Sequence, residues 1–69
     1  MDIQRQVGIN VKKWRRARGL SQEELAFEAR MDRTYVSGVE RGIRNPTVRV
    51  LARMAKALKV PPSRLLETL

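Results

Sequence analysis

The stretch SQEELAFEARMDRTYVSGVERG, residues 21–42, has the patterns of two short helices joined by a tight turn. Ser21 and Glu24 have the spacing of a capping box, in which a serine starts a helix and a glutamate three residues later completes the cap. Asp32 is a favourable N-cap for the second helix, and Gly42 is a favourable stop for it. The two predicted helices cover residues 22–29 and 33–41.

One face of this helix pair is apolar, which predicts that it packs on the rest of the chain. Two alanines on the first helix let neighbouring helices approach closely. Phe27 lies off the apolar face, so it either covers a seam between helices, which we prefer, or contacts a partner. The residues predicted to face inward are Leu25, Ala26, Ala29, Met31, Val36, Val39 and part of Tyr35.

The opposite face of the second helix is polar and basic. Its members are Arg33, Thr34, Ser37, Gly38 and Arg41. A helix of about nine residues is unstable without tertiary support, and a glycine in its middle costs about 1 kcal/mol relative to alanine. We therefore interpret Gly38 as clearance for another surface, and the polar face as a contact face rather than an ordinary solvated one.

The residues before this stretch predict a helix over residues 1–18, which Gly19 ends with Leu20 folded back behind it. Basic residues crowd its C-terminal half, where cations suit the helix dipole. Trp14 is the only tryptophan, and we interpret it as a core anchor. The residues that share one face of this helix are Ile3, Val7, Val11, Trp14 and Arg18.

Thr47 is the predicted cap of a fourth helix that covers residues 48–58. Its predicted core-facing residues are Val48, Leu51, Met54, Ala55 and Leu58, and its far side carries Arg49, Arg53 and Lys56. A short fifth helix is predicted from Pro62 to about residue 69. One or two of its leucines can close the core, and the remainder either form a dimer surface or fray. The dimer candidates are Leu65, Leu66 and Leu69.

The composition bounds the function. Sixty-nine residues predict one domain, and 15 Lys and Arg against 7 Asp and Glu give a net charge of +8, which favours a polyanionic partner. The chain has no cysteine and no histidine, which excludes thiol nucleophiles, serine triads and ordinary zinc sites. We therefore expect no enzyme activity, no metal, no cofactor and no small-molecule ligand. The absence of a membrane span, a lipidation signal and a signal peptide predicts a cytoplasmic protein that does not bind membranes.

The residues of the two-helix stretch also carry a family resemblance, which extends over essentially the whole chain. The matching residues in and before the stretch are Val7-Gly8, Val11, Arg15, residues 19–26, Tyr35-Val36-Ser37 and residues 39–42. Those after it are Asn45-Pro46-Thr47, Leu51, Ala55, Ala57-Leu58 and Val60. On these residues the sequence resembles the lambda-repressor, Cro and Xre superfamily of bacterial and phage helix-turn-helix regulators. Residues 32–41 look most like the controller proteins of restriction-modification systems.

This resemblance implies a compact all-α, five-helix domain whose third helix enters the DNA major groove. It implies a homodimer that binds a pseudo-palindromic operator in double-stranded DNA, with half-sites about one helical turn apart. The family pattern maps base reading onto Arg33, Thr34, Ser37, Gly38 and Tyr35. It maps contacts with the DNA backbone onto Gln22, Arg41, Arg44 and Asn45. It also implies a buried ion pair between Arg15 and Glu40.

The chemistry of these side chains agrees with the implied roles. Arg33 can donate two hydrogen bonds to guanine, which is worth about 1–3 kcal/mol of discrimination. Thr34 can contact a thymine methyl group or a phosphate. Arg44 can hold the backbone or enter a narrowed minor groove. Glu40 would repel DNA unless an internal partner neutralises it, and Arg15 is the natural partner.

One residue departs from the family pattern, and a second feature is compatible with a different function. Arg30 lies in the turn, where many family members have glycine or asparagine, so a left-handed backbone there would be strained. The second feature is Phe27, which together with the leucines of residues 65–69 could serve a protein partner. The alternative function is therefore an antitoxin or adaptor module for which DNA binding is secondary.

Overall fold

The computed structural model describes residues 2–69. Within that range the chain folds into four α-helices and one 3-10 turn, and no residue is in a β-strand. The elements are α1 (Ile3–Ala17), α2 (Gln22–Ala29), α3 (Arg33–Glu40), α4 (Val48–Leu58) and the 3-10 turn (Pro62–Leu65). The all-helical prediction is confirmed. The predicted fifth α-helix is wrong, because the chain makes a single 3-10 turn there.

Side-chain caps start α2, α3 and α4 at the predicted residues. The Glu24 backbone N–H donates to Ser21 Oγ at 3.0 Å, and the Ser21 N–H donates to Glu24 Oε1 at 2.8 Å, so the capping box is closed in both directions. Asp32 accepts from the backbone N–H two residues on, at 2.8 Å. The Val50 N–H donates to Thr47 Oγ1 at 3.1 Å. These caps determine the residue at which each of the three helices begins.

The first helix is bounded by a cap at each end. Asp2 is the N-cap, so α1 starts at Ile3, and the predicted start at residue 1 lies outside the described residues. At the other end Gly19 has a φ of +70°, and the Leu20 N–H reaches back to the Arg15 carbonyl at 3.1 Å. This is the glycine stop that the sequence predicts.

The core lies where α1, α2, α3, α4 and the 3-10 turn meet. Val48 was predicted to face it, which is wrong: it is the first residue of α4 and is 83% exposed, and the residues on either side of it are also exposed to solvent. Ile3, in the first turn of α1, is likewise exposed, whereas Ala57 is buried and Trp14 packs half-buried against the core. The largest fully buried side chains are Leu25, Met54, Leu58, Leu65, Val11, Val36 and Val39.

The turn between α2 and α3 contains a strained residue with a specific partner. Arg30 has φ 58° and ψ 53°, a left-handed conformation that costs about 1–2 kcal/mol for a residue other than glycine. Arg53 Nε donates to the Ala29 carbonyl at 3.1 Å, and its Nη2 donates to the Arg30 carbonyl. Arg53 is exposed on the side of α4 away from the core, as predicted, but sequence reasoning did not identify its contact with α2. Its guanidinium caps the C-terminus of α2 and holds the turn in place.

The C-terminal segment is fastened to α1 by two buried polar side chains that sequence reasoning did not identify. Gln6 Nε2 donates to the Leu66 carbonyl at 2.8 Å, and Asn10 Nδ2 donates to the Leu65 carbonyl at 3.1 Å. Leu65 is fully buried within the chain, so its assignment as a dimer candidate is wrong. Leu66 and Leu69 are 47% and 69% exposed, and they stay dimer candidates.

Candidate nucleic-acid interface

The first turn of α3 presents two exposed polar side chains in a fixed position. Besides capping the helix, Asp32 accepts a hydrogen bond from Thr34 Oγ1 at 2.6 Å. The hydrogen bonds from Thr34 lower the pKa of Asp32, so this carboxylate is ionised at neutral pH. The Thr34 hydroxyl is thereby oriented, and its methyl group stays available. Arg33 is exposed beside it and forms no ion pair among the described residues.

Gly38, in the middle of α3, is buried beneath the side chain of Arg44, so its predicted exposed position is wrong. A Cβ at this position would lie 2.5 Å from Arg44 Cγ and 3.3 Å from its Nε. The Gly38 carbonyl accepts from the N–H of Ile43 at 3.0 Å and of Arg44 at 3.3 Å. The glycine therefore lets the loop after α3 fold back onto the helix.

This loop brings a second arginine to the outer face of α3. The guanidinium carbon of Arg44 lies 5.9 Å from the centroid of the Tyr35 ring, within cation–π range. Arg44 is exposed, Tyr35 is half-buried, and Ser37 is half-buried between them and the end of the helix. The outer face of α3 is thus built from helix residues together with one loop residue.

A buried hydrogen-bond network ties α1, α2 and α3 together. Arg15 Nε donates to Glu40 Oε2 at 2.6 Å and Arg15 Nη2 donates to Glu40 Oε1 at 3.1 Å, so the ion pair implied by the resemblance is present. The Arg15 and Glu40 side chains are only 10% and 3% exposed. Arg15 Nη1 also donates to the Leu20 carbonyl at 2.7 Å, and Gln22 Nε2 donates to Glu40 Oε1 at 3.1 Å. The Glu40 carboxylate is therefore fully paired inside the protein.

The close crossing of α1 and α3 that permits this network depends on Gly8. A Cβ on Gly8 would overlap the Val39 carbonyl oxygen and lie 2.8 Å from the Glu40 carbonyl oxygen. Sequence reasoning noted Gly8 only as part of the family pattern. A lone glycine on the buried side of a helix is the available signal for such a close approach.

The remaining predicted backbone contacts lie in two places, just after the C-terminal end of α3 and at the start of α2. Arg41 and Asn45 are exposed, and Arg41 Nε reaches only its own helix, at 3.4 Å from the Ser37 carbonyl oxygen. Gln22 is half-buried at the start of α2. The polar donors of the predicted interface thus come from the start of α2, from α3 and from the loop after α3.

Residues 11–65 match the family model HTH_3, described as helix-turn-helix. The chain belongs to this helix-turn-helix family. A regulator from Sinorhizobium fredii, named as an HTH-type transcriptional regulator, is 45% identical over 60 residues, which are 87% of this chain and 78% of the relative. The control protein C.SmaI from Serratia marcescens is 42% identical over 66 residues, which are 96% of this chain and 79% of that protein.

The solved structures agree with the sequence relatives. The restriction-modification controller protein C.AhdI from Aeromonas hydrophila is 44% identical and superposes with a TM-score of 0.87, over 90% of this chain and 94% of that one. The resemblance to helix-turn-helix regulators, including restriction-modification controller proteins, is therefore confirmed. The matched residues 11–65 include all of α2 and α3.

An exposed aromatic side chain lies on α2. Phe27 is 85% exposed, so the preferred prediction that it covers a seam between helices is wrong.

Arg18 was predicted to share the apolar face of α1, but its guanidinium forms polar contacts with two other helices. Its Nη1 donates to Glu28 Oε1 at 3.2 Å and to the Ala57 carbonyl. A surface groove between α2 and α4 is lined by Glu28, Ala29, Arg30, Arg53, Lys56 and Ala57.

Neither a metal-binding cluster nor a membrane span is found in residues 2–69. No three acidic, histidine or cysteine side chains in this range are grouped so that they could hold a metal ion. None of the helices is both long enough and apolar enough to cross a bilayer.

Proposed function

We propose that the chain is a sequence-specific DNA-binding transcriptional regulator that inserts α3 into the major groove. The observation that carries the proposal is the outer face of α3, where Arg33 and Thr34 are exposed on a helix whose start, angle and far end are all fixed. Base-reading side chains must be held in register by the protein to discriminate between base pairs. Membership of the helix-turn-helix family supports the same use of α3.

The proposed division of roles follows from position on this surface. Arg33, Thr34 and Ser37 read base edges, with Tyr35 beside them, whereas Gln22, Arg41 and Asn45 hold the sugar-phosphate backbone. Arg44 lies against the outer face of α3, so we assign it to the same groove as α3. Gly38 acts through Arg44, which covers it. The net charge of +8 supplies a sequence-independent attraction that falls with salt.

We further propose that two copies bind a pseudo-palindromic operator as a homodimer. Leu66 and Leu69 are 47% and 69% exposed, and we assign them to the dimer contact because burial of exposed apolar side chains favours association. Two α3 helices held by such a dimer would enter the major groove about one helical turn apart. The similarity to C.SmaI and C.AhdI supports a role in controlling a restriction-modification system.

The test is selection of bound sequences from a pool of random DNA duplexes. We expect an enriched palindrome with half-sites about 10 base pairs apart, centre to centre. The selection is repeated with Arg33→Ala, which removes a positive charge from α3 and should flatten the preference at one base pair of each half-site. Lys56→Ala is the matched control, because it removes the same charge from α4, where Lys56 lies beside Glu28 and Arg30. The control should select the same palindrome as the unmodified protein. Equal retention of all sequences would contradict the proposal and would show that the protein binds DNA without sequence preference.

A second candidate, a protein-interaction module of antitoxin or adaptor type, is favoured by one observation. Phe27 exposes 85% of its surface next to the groove between α2 and α4. Phe27→Ser separates the candidates, because it should leave operator binding unchanged under the regulator proposal. Loss of a co-purifying partner from the native host in this variant, with DNA binding retained, would support an additional adaptor role.

A further inference from the structure

The buried carboxylate of Glu40 holds the side chain that the proposed function assigns to a DNA phosphate. We propose that Glu40 is a positioning residue for this contact: it fixes the amide of Gln22 so that the second amide N–H is presented to the phosphate. The inference rests on the proposed DNA binding. It gives Glu40 a role in affinity in addition to its role in the fold.

The hydrogen bonds leave Glu40 little freedom. Its Oε2 accepts from Arg15 Nε at 2.6 Å, while its Oε1 accepts from Arg15 Nη2 and from Gln22 Nε2, both at 3.1 Å. A guanidinium that bonds both carboxylate oxygens fixes the plane of the carboxylate. The acceptor that Gln22 meets is therefore fixed in position and in direction.

The guanidinium is fixed in turn by the backbone in front of α2. Arg15 Nη1 donates to the carbonyl of Leu20, the residue that precedes the N-cap of α2. Gln22 is the first residue of α2. The network thus joins the last residue of α3 to the first residue of α2, which is the helix end that the proposed function assigns to a DNA phosphate.

The side-chain amide of Gln22 has enough N–H donors to bind Glu40 and a phosphate at the same time. A side-chain amide nitrogen carries two N–H donors, and among the described residues Nε2 donates only to Glu40. The second donor is free for a phosphate oxygen, next to the backbone N–H groups of the first turn of α2. Because the Gln22 side chain is already ordered in the folded protein, DNA binding does not cost its conformational entropy. The Glu40 charge is neutralised by Arg15, so its repulsion of the phosphate is small.

The experiment separates the acceptor from the ion pair. Arg15→Met/Glu40→Met removes the acceptor without leaving a buried charge unpaired, a change that buried ion pairs often tolerate. Arg15→Met/Glu40→Gln restores a neutral acceptor for Gln22 but not the ion pair, and Gln22→Ala removes the donor. Each protein is titrated with the selected operator and with operators that carry one methylphosphonate at successive positions of a half-site.

For the unmodified protein we expect one position where the methylphosphonate lowers affinity about tenfold, the worth of one hydrogen bond to a charged group. Gln22→Ala and the double methionine variant should bind the normal operator about tenfold more weakly and show no loss at that position. The variant with glutamine at position 40 should regain the sensitivity. A purely structural role for Glu40 would lower the melting temperature but leave the sensitivity in place, which would overturn the proposal.

A second measurement does not involve DNA and stays valid if a variant fails to fold. In the NMR spectrum of the free protein, one of the two Gln22 side-chain amide protons should be shifted and protected from exchange by its bond to Glu40. Equal, fast exchange of both protons overturns the positioning role while leaving the proposed function standing. If the unmodified protein shows no sequence preference, the proposed function fails and the phosphate contact with it, even where the protected proton is present.

Discussion

Replacing Gly38 by alanine should separate the stability of the fold from its affinity for DNA. The new Cβ would lie 2.5 Å from Arg44 Cγ, 3.3 Å from Nε and 3.5 Å from Cδ, so the Arg44 side chain must leave α3. Alanine gains about 1 kcal/mol over glycine within a helix. Loss of the exposed contact between Arg44 and Tyr35 costs about 0.5–1 kcal/mol. The two changes nearly cancel, so we expect a free energy of unfolding within about 1 kcal/mol of the original.

The effect on DNA binding should be larger. Arg44 would have to be ordered again on binding, at up to about 2 kcal/mol, which corresponds to a loss of affinity of up to about thirtyfold. Fluorescence anisotropy with the selected operator measures this loss, and urea titration measures the free energy of unfolding. The control is the same substitution in an Arg44→Ala background, where Gly38→Ala should raise stability and leave affinity unchanged. An equal loss of affinity in both backgrounds would refute the reasoning and would favour a direct clash with DNA.

The remaining predictions address single side chains. Arg33→Ala should flatten the preference at one base pair of each half-site in the selection experiment. Arg41→Ala should weaken all duplexes alike and reduce the slope of log affinity against log salt by about 1; the reverse pattern would exchange the two roles. Glu40→Ala should cost about 3–5 kcal/mol in the free energy of unfolding because it leaves a buried guanidinium unpaired, and an unchanged melting temperature would contradict this. Because Thr34 lowers the folded-state pKa of Asp32, that pair stabilises the fold above about pH 4 and its contribution is lost as the pH falls. Asp32→Asn should therefore reduce the loss of stability on acidification, which thermal melts at several pH values would measure.

Sequence reasoning succeeded where the determining signals are local. The starts of α2, α3 and α4 are set by side chains within three residues of the helix end, and all were predicted. The same holds for Gly19, whose left-handed backbone is the common end of a helix. The inward-facing apolar side chains of α2 and α3 were also predicted, because helical spacing alone decides them.

The predictions failed where a distant residue decides the outcome. Gly38 is covered by a loop residue, and the strained Arg30 is held by Arg53 from another helix. Neither contact has a local signal in the sequence. The fifth α-helix was also predicted from local signals alone, whereas the C-terminal segment is held by Gln6 and Asn10 of α1, whose side chains bind its carbonyls.

The central claim is that α3 reads base sequence. The most direct test compares the affinity of the unmodified protein for the selected operator with its affinity for a scrambled duplex of the same length and composition, at physiological salt. We predict a ratio of at least about 10³, in the range of specific DNA-binding proteins. Equal affinity for the two duplexes would contradict the claim and reduce the interaction to charge alone.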